Sequence, residues 1–160
     1  KEVERELWTG MLVRWLLSRV RIACGLLALA LLLGCGSADR EARARQVAEA
    51  YFQAVKEKDL ERAASVYATR FFVTRSLTGW KRDLGLIDER LGALHSYTFR
   101  SSRWRTDFIP PDSGSYVTLI YDVAYARHRA VETLTVYKPF ARGEFRIVDH
   151  QISSEGFLKE

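Results

Sequence analysis

Between residues 40 and 92, apolar positions recur at the three- and four-residue spacing of amphipathic helices. The first stretch carries its apolar face at these positions: Ala44, Val47, Ala48, Tyr51, Phe52 and Val55. It predicts a helix for which Asp39 is available as the cap and which ends near Lys58. Asp59 then opens a second, shorter helix that reaches Tyr67.

A third helix is predicted by a stripe whose members are four, three and four residues apart: Trp80, Leu84, Ile87 and Leu91. Thr78 stands in the N-cap position before this stripe. Gly92 follows it, where a residue without a Cβ most easily forms a left-handed C-terminal cap. Gly85, inside the helix, costs up to about 1 kcal/mol relative to Ala, which suggests close packing against a neighbour.

From Tyr97 onward the hydrophobic period changes to the two-residue period of strands. The clearest alternation runs through Val117, Leu119, Tyr121, Val123 and Tyr125. Leu134 and Val136 mark the next strand. Phe145, Ile147 or Val148, and Ile152 mark the last one. The alternation of apolar and polar positions shifts by one residue between Phe99 and Trp104, which predicts a bulge near Ser101 and Ser102 in the first strand.

The order of these elements, helices first and then consecutive strands, predicts the fold class. It is typical of an α+β domain in which about three N-terminal helices pack on one face of a curved, four-stranded antiparallel sheet. We expect Asp122 to face solvent, because it alternates with Tyr121 along its strand.

A different pattern precedes this domain. Three basic residues, Arg14, Arg19 and Arg21, are followed by an uncharged run that extends from Ile22 to Cys35. Charged, apolar and small-residue regions in this order are typical of a secretory signal. The run has fourteen residues, whereas a membrane-spanning helix needs about 20.

The stretch Leu32-Leu33-Gly34-Cys35 resembles the lipobox of bacterial lipoprotein precursors. The resemblance implies that a peptidase cuts before Cys35 and that this cysteine carries acyl chains, so that the lipid anchor makes the membrane a partner. Three alternatives remain open: an uncleaved anchor that includes Leu12 to Leu17, a cleaved signal without lipid, and a buried core helix.

This resemblance divides the chain into four segments. Residues 1–10 are interpreted as a wrongly assigned upstream start or an artificial extension, and residues 11–34 as the signal peptide. Residues 35–41 are expected to be a tether, and residues 42–160 a single domain. Because Gly36 and Ser37 follow the cysteine in place of an inner-membrane retention aspartate, the resemblance favours the outer membrane, with the domain in the periplasm.

The net charge, the cysteines, the histidines and the absence of known motifs narrow the range of functions that the sequence allows. The net charge of the whole chain is +5, and its arginines are interspersed with acidic residues, which favours a solvated surface over nucleic-acid binding. Cys24 lies within the signal, so Cys35 is the only thiol of the mature chain and no internal disulfide forms. The three histidines fall on separate elements, and no cofactor or metal motif is present, so we expect neither a cofactor nor a metal.

The segment Glu144 to Ile152 resembles the terminal strand of the cystatin-like superfamily of the nuclear-transport-factor-2 type. The stretch Thr78 to Gly92, followed by Tyr121 and Glu132, is similar to a group of bacterial envelope domains of unknown function with this fold. The resemblance implies the fold and brings no catalytic residues with it.

Enzymes of that superfamily place acids, tyrosines or histidines in the cone between sheet and helices. Tyr51, Tyr121 and His150 are therefore the candidate pocket residues. The simpler interpretation is a structural histidine and two core tyrosines. Arg100, Arg103 and Arg105 surround Trp104 in sequence, and these four residues form either a binding face or an ordinary solvated strand face.

Two functions follow as expectations. The favoured one is a lipid-anchored module that binds an envelope protein or a small apolar ligand. The other is a small enzyme of the isomerase, dehydratase or hydrolase type that uses His150 with a tyrosine as acid and base. The oligomeric state does not follow from the sequence.

Overall fold

The structure, a computed structural model, describes residues 38–141 and 143–158. The signal segment, including Cys24 and Cys35, lies outside the described residues. Predictions about residues 1–37 are therefore untested by the fold.

Helix α1 covers residues 38–56, helix α2 spans Leu60–Ser65, and helix α3 spans Leu77–Leu91. A 3₁₀ helix, Thr69–Val73, lies between α2 and α3. Residues 38–41, expected to belong to the tether, are already helical, so Asp39 lies within α1. The predicted cap of α2 is confirmed, since the Asp59 side chain accepts a hydrogen bond from the Arg62 amide at 2.9 Å.

Two predictions about α3 were wrong. Its N-cap is Ser76, whose hydroxyl accepts from the Gly79 amide at 2.9 Å, because Leu77 already belongs to the first turn. Gly85 does not mark close packing, since a Cβ added there would meet no neighbouring atom within 4 Å. The predicted C-terminal glycine is confirmed by the positive φ of Gly92, 86°.

The apolar stripe of α3 was largely predicted. Trp80, Leu84 and Leu91 are buried, and Ile87 is half-buried against the same core. The stripe therefore faces the sheet, as its spacing indicated.

The four strands are β1 (Leu94–Asp107), β2 (Gly114–Tyr125), β3 (Arg129–Pro139) and β4 (Arg146–Ser153). Each pairs antiparallel with the next, so the sheet order is β1-β2-β3-β4. The register of β1 shifts between Phe99 and Ser101, which confirms the bulge and assigns the extra residue to Arg100.

The helices pack on one face of the sheet and leave the other face open. The inner face of β2 is buried along its full alternation: Val117, Leu119, Tyr121, Val123 and Tyr125. Phe52 of α1 seals this face, stacking on Tyr97 at 4.5 Å between ring centroids and meeting Tyr121 edge-on at 4.9 Å. On the open face, Asp122 is exposed as expected and pairs with Arg100.

A short parallel bridge ties the chain after α2 to β4. The Ile147 amide donates to the Val66 carbonyl at 3.0 Å, and the Ala68 amide donates to the Ile147 carbonyl at 2.8 Å. These two bonds fix the backbone on both sides of Tyr67. Its side chain is thereby directed into the core, where it is buried.

Candidate functional site

Two polar side chains lie on the otherwise apolar inner face of the sheet. Glu132 of β3 is 0% exposed and His150 of β4 is 2% exposed. His150 pairs across the strands with Leu134, two residues from Glu132, so the two polar residues are diagonal neighbours on one face. His150 Nε2 and Glu132 Oε2 are 2.9 Å apart, within hydrogen-bond distance.

Two tyrosines extend this pair into a chain of four side chains. The Tyr67 hydroxyl lies 2.7 Å from His150 Nδ1, and the Tyr125 hydroxyl donates to Glu132 Oε1 at 2.5 Å. The four residues are Tyr67, His150, Glu132 and Tyr125, and we call them the core network. It connects the segment after α2 with β4, β3 and β2.

One arrangement of protons satisfies the core network with Glu132 as a carboxylate and His150 as a neutral imidazole. The carboxylate accepts from the Tyr125 hydroxyl and from His150 Nε2–H, and His150 Nδ1 accepts from the Tyr67 hydroxyl. This tautomer is inferred from the hydrogen-bond partners. Both ring nitrogens of His150 are thus occupied by protein groups.

Aromatic rings from the helical layer enclose His150. Tyr51 of α1 and Trp80 of α3 meet its ring edge-on, with centroids 5.1 and 5.5 Å away, and Tyr67 lies roughly parallel to it at 6.2 Å. All of these side chains are buried. His150 is therefore the point at which α1, α3 and the segment after α2 meet the sheet.

The hydroxyl of Tyr67 has two further polar neighbours. Burial, followed by the charge of Glu132, raises the pKa of Tyr67 well above its usual value, and the nearby polar groups of Trp80 and Tyr51 oppose this shift. Tyr51 Oη and Trp80 Nε1 nonetheless lack a partner of good hydrogen-bond geometry among the described residues. We therefore treat these two contacts as electrostatic neighbours of Tyr67 and not as formed hydrogen bonds.

Burial keeps the core tyrosines protonated. Burial is the largest of the effects that raise the pKa of Tyr51 and of Tyr125 far above the ordinary value, and the charge of Glu132 is the next largest. Burial also raises the pKa of Tyr121 to about 12. The hydroxyls of the core network thus act as hydrogen-bond donors at neutral pH.

The structure brings together part of the predicted pocket. Tyr51 packs against His150, but Tyr121 packs against Phe52, Tyr97 and Phe99 on the other side of the core. The grouping of Tyr121 with His150 was wrong, because Tyr121 belongs to the aromatic cluster under α1.

Three members of the core network were not chosen from the sequence: Glu132, Tyr67 and Tyr125. For Glu132 a signal was present, since it occupies the inward phase of β3 between Ala130 and Leu134. An acid at a core position of a strand requires a buried partner. His150, in the inward phase of β4, was the matching signal.

Of three open surface pockets, one reaches the core network, and it does so at Tyr67. Three open pockets have volumes of about 420, 590 and 550 Å³, and none of the three is lined by Glu132 or His150. The third includes Tyr67 among its lining residues, next to Arg70 and Arg146.

Other site classes find no support in the part of the chain that the structure describes. Within residues 38–141 and 143–158, no three His, Cys, Asp or Glu side chains are grouped as metal ligands. No helix among these residues is long and apolar enough to cross a membrane. Comparison with known protein families, curated proteins and solved structures finds no match to this chain.

Proposed function

We propose that the chain is the precursor of a bacterial lipoprotein, anchored through acylated Cys35 in the cell envelope, and that its domain is a binding or protein-interaction module. The basic, apolar and small-residue order before Cys35 supports the anchor. The outer membrane, with the domain in the periplasm, is the proposed location.

The finer fold assignment belongs to the same proposal. Helices that precede a four-stranded meander, and that cover one face of it, are what the cystatin-like superfamily of the nuclear-transport-factor-2 type would require. Phe145, just before the terminal strand, and Ile147, within it, are both buried, which supports the sequence resemblance.

One observation carries the choice of a binding module over an enzyme. His150 is buried, and both of its ring nitrogens are engaged by Tyr67 and Glu132. A general acid or base must reach the proton that it transfers. A histidine whose two ring nitrogens are both hydrogen-bonded inside the core has a structural role. Contact with a partner is then made by residues on the surface of the domain.

The enzymatic alternative rests on Tyr67. This residue lines a surface pocket and also contacts His150 Nδ1. A substrate in that pocket would therefore exchange protons with His150 through the Tyr67 hydroxyl. The accessibility of His150 to small molecules therefore distinguishes the enzyme from the binding module.

Chemical modification of the histidines measures this access. We expect diethyl pyrocarbonate to modify exposed His95 in the native protein and to leave His150 unmodified until the protein is unfolded. Peptide mass spectrometry reports both sites in one sample, so His95 serves as the internal control. Rapid native modification of His150 would overturn the binding-module proposal in favour of the enzyme.

Processing is tested separately by the intact mass of protein extracted from membranes with detergent. We expect a chain that begins at Cys35 and carries acyl groups. The variant Cys35→Ser should lose the acyl mass, whereas Cys24→Ser should keep it. A soluble, unmodified product that begins elsewhere would refute the anchor.

A further inference from the structure

One end of the sheet exposes three large apolar side chains. Phe108 and Ile109, in the loop between β1 and β2, are 77% and 75% exposed, and Phe140, just after β3, is 50% exposed. The rings of Phe108 and Phe140 are 5.5 Å apart, so the two loops form one patch. We call these three residues the apolar tip. Clustered exposed apolar residues commonly mark an interaction surface.

Basic side chains lie on the two strands that lead into the apolar tip. Arg103 and Arg105 are exposed on the last part of β1, and half-buried Lys138 precedes Phe140 on β3. Two acids also lie in this part of the chain: Asp112 pairs with Arg70 at 2.9 Å, and the Asp107 side chain accepts from the Ile109 amide at 3.1 Å. An apolar centre with a cationic border complements an anionic membrane surface.

The start of α1 lies at this same end of the domain. Ser102 donates to Glu41 at 2.7 Å, and the Arg40 guanidinium lies 5.8 Å from the centre of the Trp104 ring. Cys35 precedes Arg40 by five residues, and five residues reach at most about 18 Å when fully extended. An acyl group on Cys35 is therefore tethered within about 18 Å of the Arg40 backbone.

We propose that the apolar tip docks into the surface of the anionic phospholipid bilayer to which Cys35 tethers the chain. The inference rests on the proposed lipid anchor. Phe108, Ile109 and Phe140 enter the interface between headgroups and acyl chains, where aromatic side chains are favoured, and the basic border contacts the headgroups.

Tryptophan quenching by brominated lipids tests the docking. The full chain is produced in bacteria, extracted from membranes and placed in vesicles of phosphatidylethanolamine and phosphatidylglycerol with brominated acyl chains. Phe108→Trp, in a Trp104→Phe background, places the reporter in the tip. Leu158→Trp in the same background is the matched control, because Leu158 is 84% exposed and follows β4 at the opposite end of the sheet.

We expect the tip reporter to be quenched at least about twofold more than the Leu158→Trp control. Ile109→Ser with Phe140→Ser should remove the difference, whereas Leu86→Ser should not. Replacing phosphatidylglycerol by neutral phosphatidylcholine should reduce it, because the basic border then lacks its partner.

The outcomes separate the docking from the anchor. The intact mass of each preparation reports whether the chain is acylated. Protein added to preformed vesicles reports whether the tip docks without acylation. An unmodified chain whose tip reporter is quenched would refute the anchor and leave the docking supported. Acylated protein in vesicles with equal quenching of both reporters refutes the docking. Equal quenching together with a dimer that Ile109→Ser dissociates would assign the tip to contact between copies, which also overturns the proposal.

Discussion

Glu132→Ala is expected to lower the free energy of unfolding by about 3 to 5 kcal/mol, because each of two buried donors then loses its acceptor at a cost of roughly 1 to 3 kcal/mol. The change removes the acceptor of the Tyr125 hydroxyl and of His150 Nε2 together. Both donors remain buried without a partner, and the missing side chain leaves a cavity. Urea denaturation followed by circular dichroism measures the loss.

Glu132→Gln is the conservative test of the same site. Its amide oxygen still accepts one hydrogen bond, and His150 can move its proton to Nδ1, so we expect a clearly smaller loss than for Glu132→Ala. Asp122→Ala removes a carboxylate from the exposed pair with Arg100 and should change stability least. A loss below about 1 kcal/mol for Glu132→Ala would show that the core network does not stabilise the fold.

Raising the pH above about 10 is expected to unfold the protein cooperatively. A tyrosine in an unfolded chain ionises near pH 10, but the pKa values of Tyr51, Tyr67 and Tyr125 are raised in the folded state, first by burial. Between the two pKa values the folded state binds more protons than the unfolded state, so the free energy of unfolding falls as pH rises. The full contribution of these tyrosines is present below about pH 10.

Tyrosinate absorbance and near-ultraviolet circular dichroism, recorded on the same sample, measure this transition. We expect part of the tyrosine absorbance to appear only together with the loss of the near-ultraviolet signal. Tyr121, whose pKa is about 12, should belong to this late fraction. Gradual ionisation of every tyrosine while the native signal persists would contradict the assignment.

The parts of the fold that sequence predicted are those that depend on local period. The α3 stripe and the β2 alternation each repeat with the geometry of one element, so their buried faces follow directly from the spacing. The bulge near Arg100 was visible as a slip in the same period. The prediction of the α3 N-cap failed because Ser76 and Thr78 lie two positions apart, and only the backbone geometry shows which of them caps the helix.

The candidate site depended on register, which the sequence does not show. Glu132 and His150 meet because β3 and β4 pair with Leu134 opposite His150. Tyr67 arrives from outside the sheet, through its bridge to Ile147, and no periodicity predicts that contact. The inward phases of Glu132 and His150 were the local signals for this network.

The backbone bridge that joins Val66 and Ala68 to Ile147 affects whether neighbouring copies of the domain can pair through the edges of their sheets. It occupies backbone groups at the start of β4, which is an edge strand, and there a second copy finds no free groups to extend the sheet. At the other edge, β1 is interrupted by its bulge and carries exposed arginines, which disfavour pairing with an identical, equally charged strand. Under the proposed lipid anchor, copies share a surface and collide far more often than copies in free solution, and these two edge features disfavour their association through the sheet.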